Sequence, residues 1–139
     1  QRYERVRAYE TALNQAGDST LHALRIDIKR FRYMVEFFSE VLGPQAARVI
    51  DACKTMQDHL GDLNDAAVAI EAMESFVARH DAEFSGIPQF IRPDISGVHD
   101  YIDATRAKQR HLRDTFPAAW ASFNSEAMRR NLALAIAVL

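Results

Sequence analysis

Four side chains that can donate hydrogen bonds to an anion recur at helical spacing early in the chain. These residues, the basic stripe, are His22, Arg25, Lys29 and Arg32. At about 100° per residue they fall within roughly 80° of one another on a helix, and Tyr33 lies close to the same line. Arginine offers forked donors, lysine a mobile point charge, and histidine a donor or a cation. A row of such groups on a rigid helix suits an extended anion better than one small ligand.

The basic stripe also has an ordinary interpretation as a solvated helix face. Charge pairs between residues four apart, such as Arg32 with Glu36, stabilise such faces. Because lone basic stripes are common on helices, spacing alone favours this interpretation over an anion site. Further features of the sequence are needed to decide between the two.

The helix that carries the basic stripe is predicted from a second, apolar stripe. Its members are spaced 4, 3, 4, 3 and 4 residues apart, and they are Leu24, Ile28, Phe31, Val35, Phe38 and Leu42. This heptad spacing predicts a helix over Leu21–Phe38 with one face against a helical partner. The basic stripe is centred about 120° from the apolar one, so it should flank the core.

The same stretch resembles the signature helix of CHAD domains, a family of histidine-containing α-helical domains. The residues that carry the resemblance are His22-Ala-Leu-Arg25, Ile26, Lys29-Arg30, Arg32-Tyr33 and Glu36-Phe37-Phe38. A second segment, Met56–Asp65, is similar to that family's Leu-Gln-Asp-x-Leu-Gly-x-Leu-x-Asp motif. The order and separation of the two segments also fit, and the resemblance extends from Leu21 to about His80.

CHAD domains are all-helical and bind inorganic polyphosphate through basic residues, so the resemblance implies that function here. It implies phosphate contacts from the four residues of the basic stripe. Tyr33 matches the motif and either contacts the ligand or supports Lys29. Lys54 is a candidate only because the next helix should bring it to the same groove.

A second row of arginines is carried by no motif. Arg106, Arg110 and Arg113 are spaced 4 and 3 residues apart on a predicted helix. They form either a second basic stripe facing the same ligand or an ordinary solvated face.

The expected fold is an all-α antiparallel bundle of about four to five helices over residues 1–139. The Lys-Arg-x-Arg-Tyr form is similar to the second of the two bundles in a full CHAD domain. The chain would then be the C-terminal half of a larger, pseudo-symmetric domain. Its partner would be either the missing half or a second copy in a homodimer.

Helices are expected on both sides of the signature helix. The first should span Gln1–Gln15, with Asp18 or Ser19 as the N-cap of the next. Another heptad predicts one long helix from Gln45 to about Arg79. That helix either passes through Gly61, with or without a kink, or breaks there and is recapped by Asp62. Three acidic residues on its polar side are expected to pair with the basic stripe, and they are Asp58, Asp62 and Asp65.

The remaining third should contain a loop and two more helices. The loop, residues 80–93, should be pinned to the core by Phe84, Ile87, Phe90 and Ile91. Asp94 should cap the next helix, whose end should be anchored in the core by Phe116, Trp120 and Phe123. Asn124 and Ser125 should cap a last helix, Glu126–Leu139, with an apolar end that packs on the bundle or on further chain.

Composition limits the function classes. The chain has 139 residues, 48% of them apolar and 26% charged, with a net charge of −2 and one cysteine. There is no long apolar run for a membrane span and no signal stretch, and a single cysteine suits a reducing compartment. We therefore expect a cytoplasmic protein, located at polyphosphate granules if the resemblance holds. The net negative charge makes nucleic acid a weaker candidate partner.

No motif for a metal, cofactor or catalytic nucleophile accompanies the basic stripe. We therefore expect a binding module that needs no metal or cofactor and is not an enzyme. Two alternatives stay open: a helical protein-interaction module that meets an acidic protein, and an accessory part of a phosphate-ester or polyphosphate hydrolase.

Overall fold

The computed structural model describes residues 1–13 and 16–138, and within them every regular element is helical. The α-helices are α1 (Arg2–Arg7), α2 (Asp18–Phe37), α3 (Ala46–Glu83), α4 (Ser96–Phe123) and α5 (Glu126–Ile136). The described residues also include the 3₁₀ helices Ala8–Thr11 and Gln89–Ile91, and no strand occurs among them. The expected all-α fold with four to five helices is confirmed.

The chain forms two compact units. The first unit contains the chain up to Gly61 together with the segment from Thr115 onward. The second contains Asp62–Asp114. No helix in the described parts of either unit is long and apolar enough to cross a membrane.

The apolar stripe of α2 is buried in the core of the first unit, as its spacing predicts. Leu24 and Ile28 are inaccessible, and Phe31 and Val35 are nearly so. Burying side chains of this size contributes roughly 1.5–3 kcal/mol each. The stripe ends sooner than predicted, because α2 ends at Phe37 and Phe38 is 48% exposed.

A buried carboxylate joins the N-terminal segment to α2. Asp27 accepts hydrogen bonds from Nε of Arg5 at 3.2 Å and from the hydroxyl of Tyr9 at 3.0 Å. Arg30, one turn later, lies 3.7 Å from its other oxygen. Because a buried carboxylate without partners is costly, these contacts hold Asp27 in place and fix the first eleven residues against α2.

The long helix α3 runs through Gly61 without interruption, so the continuous form of the prediction is confirmed. Its buried face in the first unit includes Val49, Cys53, Met56 and Leu60. Helix packing therefore outweighs the cost of about 1 kcal/mol of an interior glycine relative to alanine.

The last 25 residues return to the first unit and pack on its N-terminal part. Trp120 and Phe123 are buried, as predicted. The hydroxyl of Tyr3 donates to Oδ1 of Asn124 at 3.4 Å, and the Asn124 amide donates to Glu10. The N–H of Gly43 donates to the carbonyl of Ala135 at 2.9 Å, which joins the α2–α3 turn to α5.

The caps of the last two helices follow the prediction closely. The Ser125 hydroxyl accepts the N–H of Met128 at 3.2 Å and caps α5. Where α4 begins, Asp94 accepts the N–H of Ser96 at 2.8 Å and the Ser96 hydroxyl at 3.1 Å. These two hydrogen bonds lower the pKa of the Asp94 carboxyl. The last helix ends at Ile136, earlier than predicted, and Leu139 lies outside the described residues.

Several local predictions are wrong. The first α-helix ends at Arg7 and continues as a 3₁₀ helix, and Asn14 and Gln15 lie outside the described residues. Gly17 occupies the N-cap of α2, and neither Asp18 nor Ser19 does, because both residues already have helical conformation.

Three of the four apolar residues that were expected to pin the loop after α3 to the core are exposed, whereas the fourth, Phe84, is half-buried. Helix α3 continues to Glu83, which shortens the loop at its start. Phe90 is 89% exposed, and Ile87 and Ile91 are also exposed. The prediction of a pinned loop is wrong because apolar character alone does not provide a surface to cover these side chains.

We expect Phe31→Ala to destabilise the protein by about 3–5 kcal/mol, because it removes a fully buried ring and leaves a cavity. Phe31 is 1% exposed, and its ring centre lies 5.5 Å from that of Tyr3. Urea denaturation would measure the loss.

The matched control is Phe37→Ala, the same change at a ring that is 81% exposed. It should alter the free energy of unfolding by no more than about 0.5 kcal/mol. Similar losses for both variants would contradict the assigned rotation of α2.

Candidate anion-binding site

The basic stripe keeps its helical arrangement on α2, but its members differ in exposure. His22 and Lys29 are exposed, whereas Arg25 and Arg32 are half-buried. This follows from the rotation of α2 that buries its apolar stripe. The two arginines flank the core, and the Nε atom of each is buried.

Arg25 lies across the position of Gly61 on α3. Its Nε is 4.0 Å from the place that a Cβ on Gly61 would occupy. That Nε is buried and has no hydrogen-bond partner in the described chain. Arg25 also forms no ion pair with a carboxylate in the described part of the first unit. The missing side chain at position 61 leaves room for the guanidinium.

Arg32 lies near Cys53, also on α3. Its Nε too is buried without a hydrogen-bond partner among the described residues. One terminal nitrogen is 3.8 Å from a Glu36 oxygen, which confirms the pair that the spacing suggested. Burial raises the pKa of the Cys53 thiol to about 12, against the opposing influence of the nearby positive charge of Arg32.

These contacts define the α2–α3 seam, which consists of Arg25 and Arg32 on α2 with Cys53, Gln57 and Gly61 on α3. The two helices are antiparallel here, because Arg25 meets the later residue of α3 and Arg32 lies near the earlier one. Gln57 is halfway between the two α3 positions, and its Oε1 is buried without a partner in the described structure. The seam therefore contains two orphan donors and one orphan carboxamide oxygen.

Tyr33 serves as a platform for two cations of the basic stripe. Nζ of Lys29 is 5.6 Å from the centre of its ring, and the Arg32 guanidinium carbon is 4.9 Å from it. Such contacts contribute about 0.5–1 kcal/mol at exposed sites. This geometry supports the interpretation that Tyr33 positions Lys29, while a direct contact with a ligand stays a prediction.

Lys54 is exposed on α3. It precedes Gly61 by seven residues, which places the two within roughly 20° of each other around the helix. Lys54 therefore lies on the side of α3 over which Arg25 extends. Its role as a phosphate contact stays a prediction.

The three arginines of the second predicted stripe lie on α4 in the second unit. Arg106 is paired there with Glu74 and lies 3.9 Å from Asp103. Arg110 is exposed and Arg113 is half-buried. Part of the charge of this row is thus already balanced by carboxylates, and its role in ligand binding stays a prediction.

The acidic residues of α3 do not act as predicted. Asp62 belongs to the second unit, where it lies 3.8 Å from Nζ of Lys108. Asp58, the one of the three in the first unit, is exposed, and in the described structure it forms no ion pair with the basic stripe. Glu36 of α2 itself is the carboxylate that pairs with Arg32, because it lies one turn away on the same line.

The seam contains residues that sequence reasoning did not assign to a site. The sequence pattern indicated Gly61 as a possible kink and the single cysteine, Cys53, as a sign of a reducing compartment. Gln57 was included only as part of the segment Met56–Asp65. Their common spacing of four residues was the available signal, since it places all three along one side of α3. Among the described residues, no group of three or more His, Cys, Asp or Glu side chains is arranged to hold a metal ion.

Comparison with protein families adds evidence independent of this geometry. The family model described as the CHAD domain matches residues 1–74, just over half of the chain. The matched region includes α1, α2 and all the residues of the seam. Searches of curated proteins and of solved structures find no match.

We expect the stability of the protein to fall as pH rises above about 9, in part because of Cys53. The folded state holds this thiol protonated up to about pH 12, whereas the unfolded chain releases the proton near 9. The contribution is therefore full below pH 9 and is lost as pH rises toward 12. Tyr3 and Tyr9, whose pKa values are raised mainly by burial, act in the same direction.

The Cys53 contribution is measured as the difference in unfolding free energy between the native protein and Cys53→Ala from pH 8 to pH 10.5. A difference that stays constant over this range would contradict the buried, neutral thiol.

We expect Gly61→Ala to stabilise the protein by up to about 1 kcal/mol, because alanine favours the helix and its Cβ meets only Arg25 at 4.0 Å. Thermal and urea unfolding would measure the gain. Gly61→Leu serves as the contrast, since its longer side chain occupies the space of the guanidinium. A loss of stability in the alanine variant would show that position 61 requires more room than the seam geometry indicates.

Proposed function

Since the chain belongs to the CHAD domain family, we propose that it binds inorganic polyphosphate along the α2–α3 seam and does not hydrolyse it. The observation that carries the proposal is the state of Arg25 and Arg32. Both present a buried Nε without a hydrogen-bond partner in the described chain. An anion that lies along the seam would supply the missing acceptors.

The energetics favour an anionic ligand at this place. A buried polar group without a partner costs about 1–3 kcal/mol, and more when it is charged. Hydrogen bonds from a guanidinium to phosphate are charge-assisted and can be bidentate. A phosphate chain would therefore gain strong contacts and also remove a cost that the free protein bears.

The length of the seam favours an extended ligand over a single phosphate ion. Arg25 and Arg32 are seven residues apart, which is about 10 Å along a helix. Lys29 lies between them on the exposed side, and His22 extends the row by one turn. One phosphate ion cannot reach both arginines, whereas a chain of linked phosphates can contact each in turn.

Pairing of Arg32 with Glu36 sets a condition on the ligand. The two groups are 3.8 Å apart, so an incoming phosphate competes with a carboxylate already in place. A polyanion that simultaneously contacts Arg25 and Lys29 can compete effectively, because its first contact raises the local concentration of the next phosphate.

We further propose that a second CHAD bundle, as the other half of a longer protein or as a second copy of this chain, faces the seam and adds further cations. In the cell the protein would then collect at polyphosphate granules. Fluorescence microscopy of tagged protein, with and without the seam arginines, would test this location.

We expect the double variant Arg25→Gln/Arg32→Gln to lose at least tenfold in affinity for long-chain polyphosphate in calorimetric titration. Glutamine keeps most of each side chain's stem but removes both charges and the forked donors. Native binding should weaken between about 50 and 200 mM salt, and the double variant should show a shallower dependence, because fewer counterions are released.

The matched control is Arg48→Gln, which removes one positive charge from the same helix as Gly61. Arg48 is exposed and lies roughly 140° around α3 from Gly61. It should bind polyphosphate as the native protein does. Equal losses in the control would assign the binding to general charge and contradict a site at the seam.

Parallel titrations with RNA and with triphosphate separate the ligand classes. Tighter binding of RNA than of polyphosphate would favour a nucleic-acid module. Release of phosphate from the chain during the titration would favour the alternative of an accessory hydrolase part. No binding of any phosphate compound would leave the protein-interaction module as the better interpretation of the basic stripe.

A further inference from the structure

We infer that Gln57 is a further polyphosphate-contacting residue, whose carboxamide N–H donates to a phosphate oxygen between Arg25 and Arg32. The inference rests on the proposed function and deepens it, because it adds an uncharged donor from α3 to a site otherwise built from the cations of α2.

The position of Gln57 follows from one contact and one electrostatic interaction, which lie on either side of it. One is Arg25 against Gly61, at 4.0 Å from its Cβ position, and the other is Arg32 near Cys53. Gln57 lies four residues from each of these α3 positions, so it occupies the turn between them. On the antiparallel α2, the corresponding place is the turn between the two arginines.

One atom of the Gln57 side chain, the carbonyl oxygen, lacks a hydrogen-bond partner in the described structure. Gln57 is half-buried, and its Oε1 is buried with no hydrogen bond in the described structure. A buried carboxamide without a partner is costly, and a nonpolar residue of similar shape would fit the turn better. The side chain thus has a hydrogen-bond acceptor that the described structure leaves unused.

A phosphate chain in the seam would allow both the N–H donors and the carbonyl acceptor of Gln57 to form hydrogen bonds. A carboxamide carries two N–H donors and one carbonyl acceptor. With Nε2 donating to a phosphate oxygen, Oε1 is free to accept the Nε–H of one neighbouring arginine. One rearrangement would thereby give hydrogen-bond partners to Oε1 on α3 and to an arginine Nε–H on α2, and no proton is transferred.

An uncharged donor differs from the arginines in a way that can be measured. Removal of a cation that contacts phosphate lowers both the affinity and the salt dependence of binding. Removal of Gln57 should lower the affinity alone, because no counterion is displaced from a neutral group. It should also spare or raise the stability of the free protein, since it removes an unpaired buried polar atom.

The experiment compares Gln57→Met with the native protein in calorimetric titration with long-chain polyphosphate at several salt concentrations. Urea unfolding is measured alongside without ligand. We expect about tenfold weaker binding, an unchanged slope of log affinity against log salt, and an unfolding free energy no lower than that of the native protein. Gln109→Met, the same change at a half-buried glutamine of α4, should leave binding unchanged.

A second variant, Gln57→Glu, covers the case in which methionine disturbs the helix packing. Its carboxylate should repel phosphate and weaken binding more than tenfold near neutral pH. The deficit relative to the native protein should shrink toward pH 5, where more of the carboxyl is protonated and can donate.

The outcomes separate the two levels of the inference. Native binding to polyphosphate with unchanged affinity in both variants would overturn the role of Gln57 and leave the proposed function intact. A weaker affinity that parallels a loss of stability would assign Gln57 to packing and also overturn its role. Failure of the native protein to bind polyphosphate would overturn the proposed function itself.

Discussion

Burial of the apolar stripe of α2 is the interaction on which the rest of the first unit depends. Four large side chains on one line, Leu24, Ile28, Phe31 and Val35, leave α2 one favourable rotation about its axis. That rotation fixes where every other side chain of the helix can go. The basic stripe, about 120° away, falls at the edge of the contact with α3 and not on the side directly opposite the core.

The edge position has an electrostatic consequence. An arginine at the centre of an exposed face would have every nitrogen in water, and one in the core would need a carboxylate partner. Arg25 and Arg32 fall between these cases, because both are half-buried and their Nε atoms are buried without acceptors among the described residues. Cys53 below them is kept neutral by its surroundings and offers no negative charge in return. The free protein tolerates this arrangement because the apolar stripe provides more stability than the two orphan donors cost.

The sequence predicted the parts of the fold that follow from helical periodicity. It could not predict the parts that depend on which surface covers a given residue. Two heptads predicted α2 and the passage of α3 through Gly61, since a mismatch would have put apolar groups in water. The N-cap at Gly17 and the exposure of Phe90 are set by the path of the backbone and by the absence of a covering surface. Neither leaves a signal in local spacing.

For the candidate site, the sequence predicted which cations of α2 share one face, but not which residues of α3 lie opposite them. Which residues of α3 meet Arg25 and Arg32 depends on the axial register of two helices, and each heptad allows several registers. The close approach at Gly61 selects one of them, and with it Gln57. The expected partner Asp62 instead lies beside Lys108, because it is 100° around α3 from Gly61.

The first unit is built from two segments that are far apart in the sequence, and this affects when its core can form during synthesis. Its core includes Trp120, Phe123 and Ala135. The hydrogen bond from the N–H of Gly43 to the carbonyl of Ala135 cannot form until Ala135, 92 residues later, has been made. While the ribosome makes Asp62–Asp114, the first part of this unit has been made, but the segment from Thr115 onward has not. A nascent chain therefore carries an incompletely shielded apolar surface until α5 has been made. Long-range closure of this kind slows folding and exposes the chain to aggregation, so premature termination after α4 would yield a product that associates before it folds.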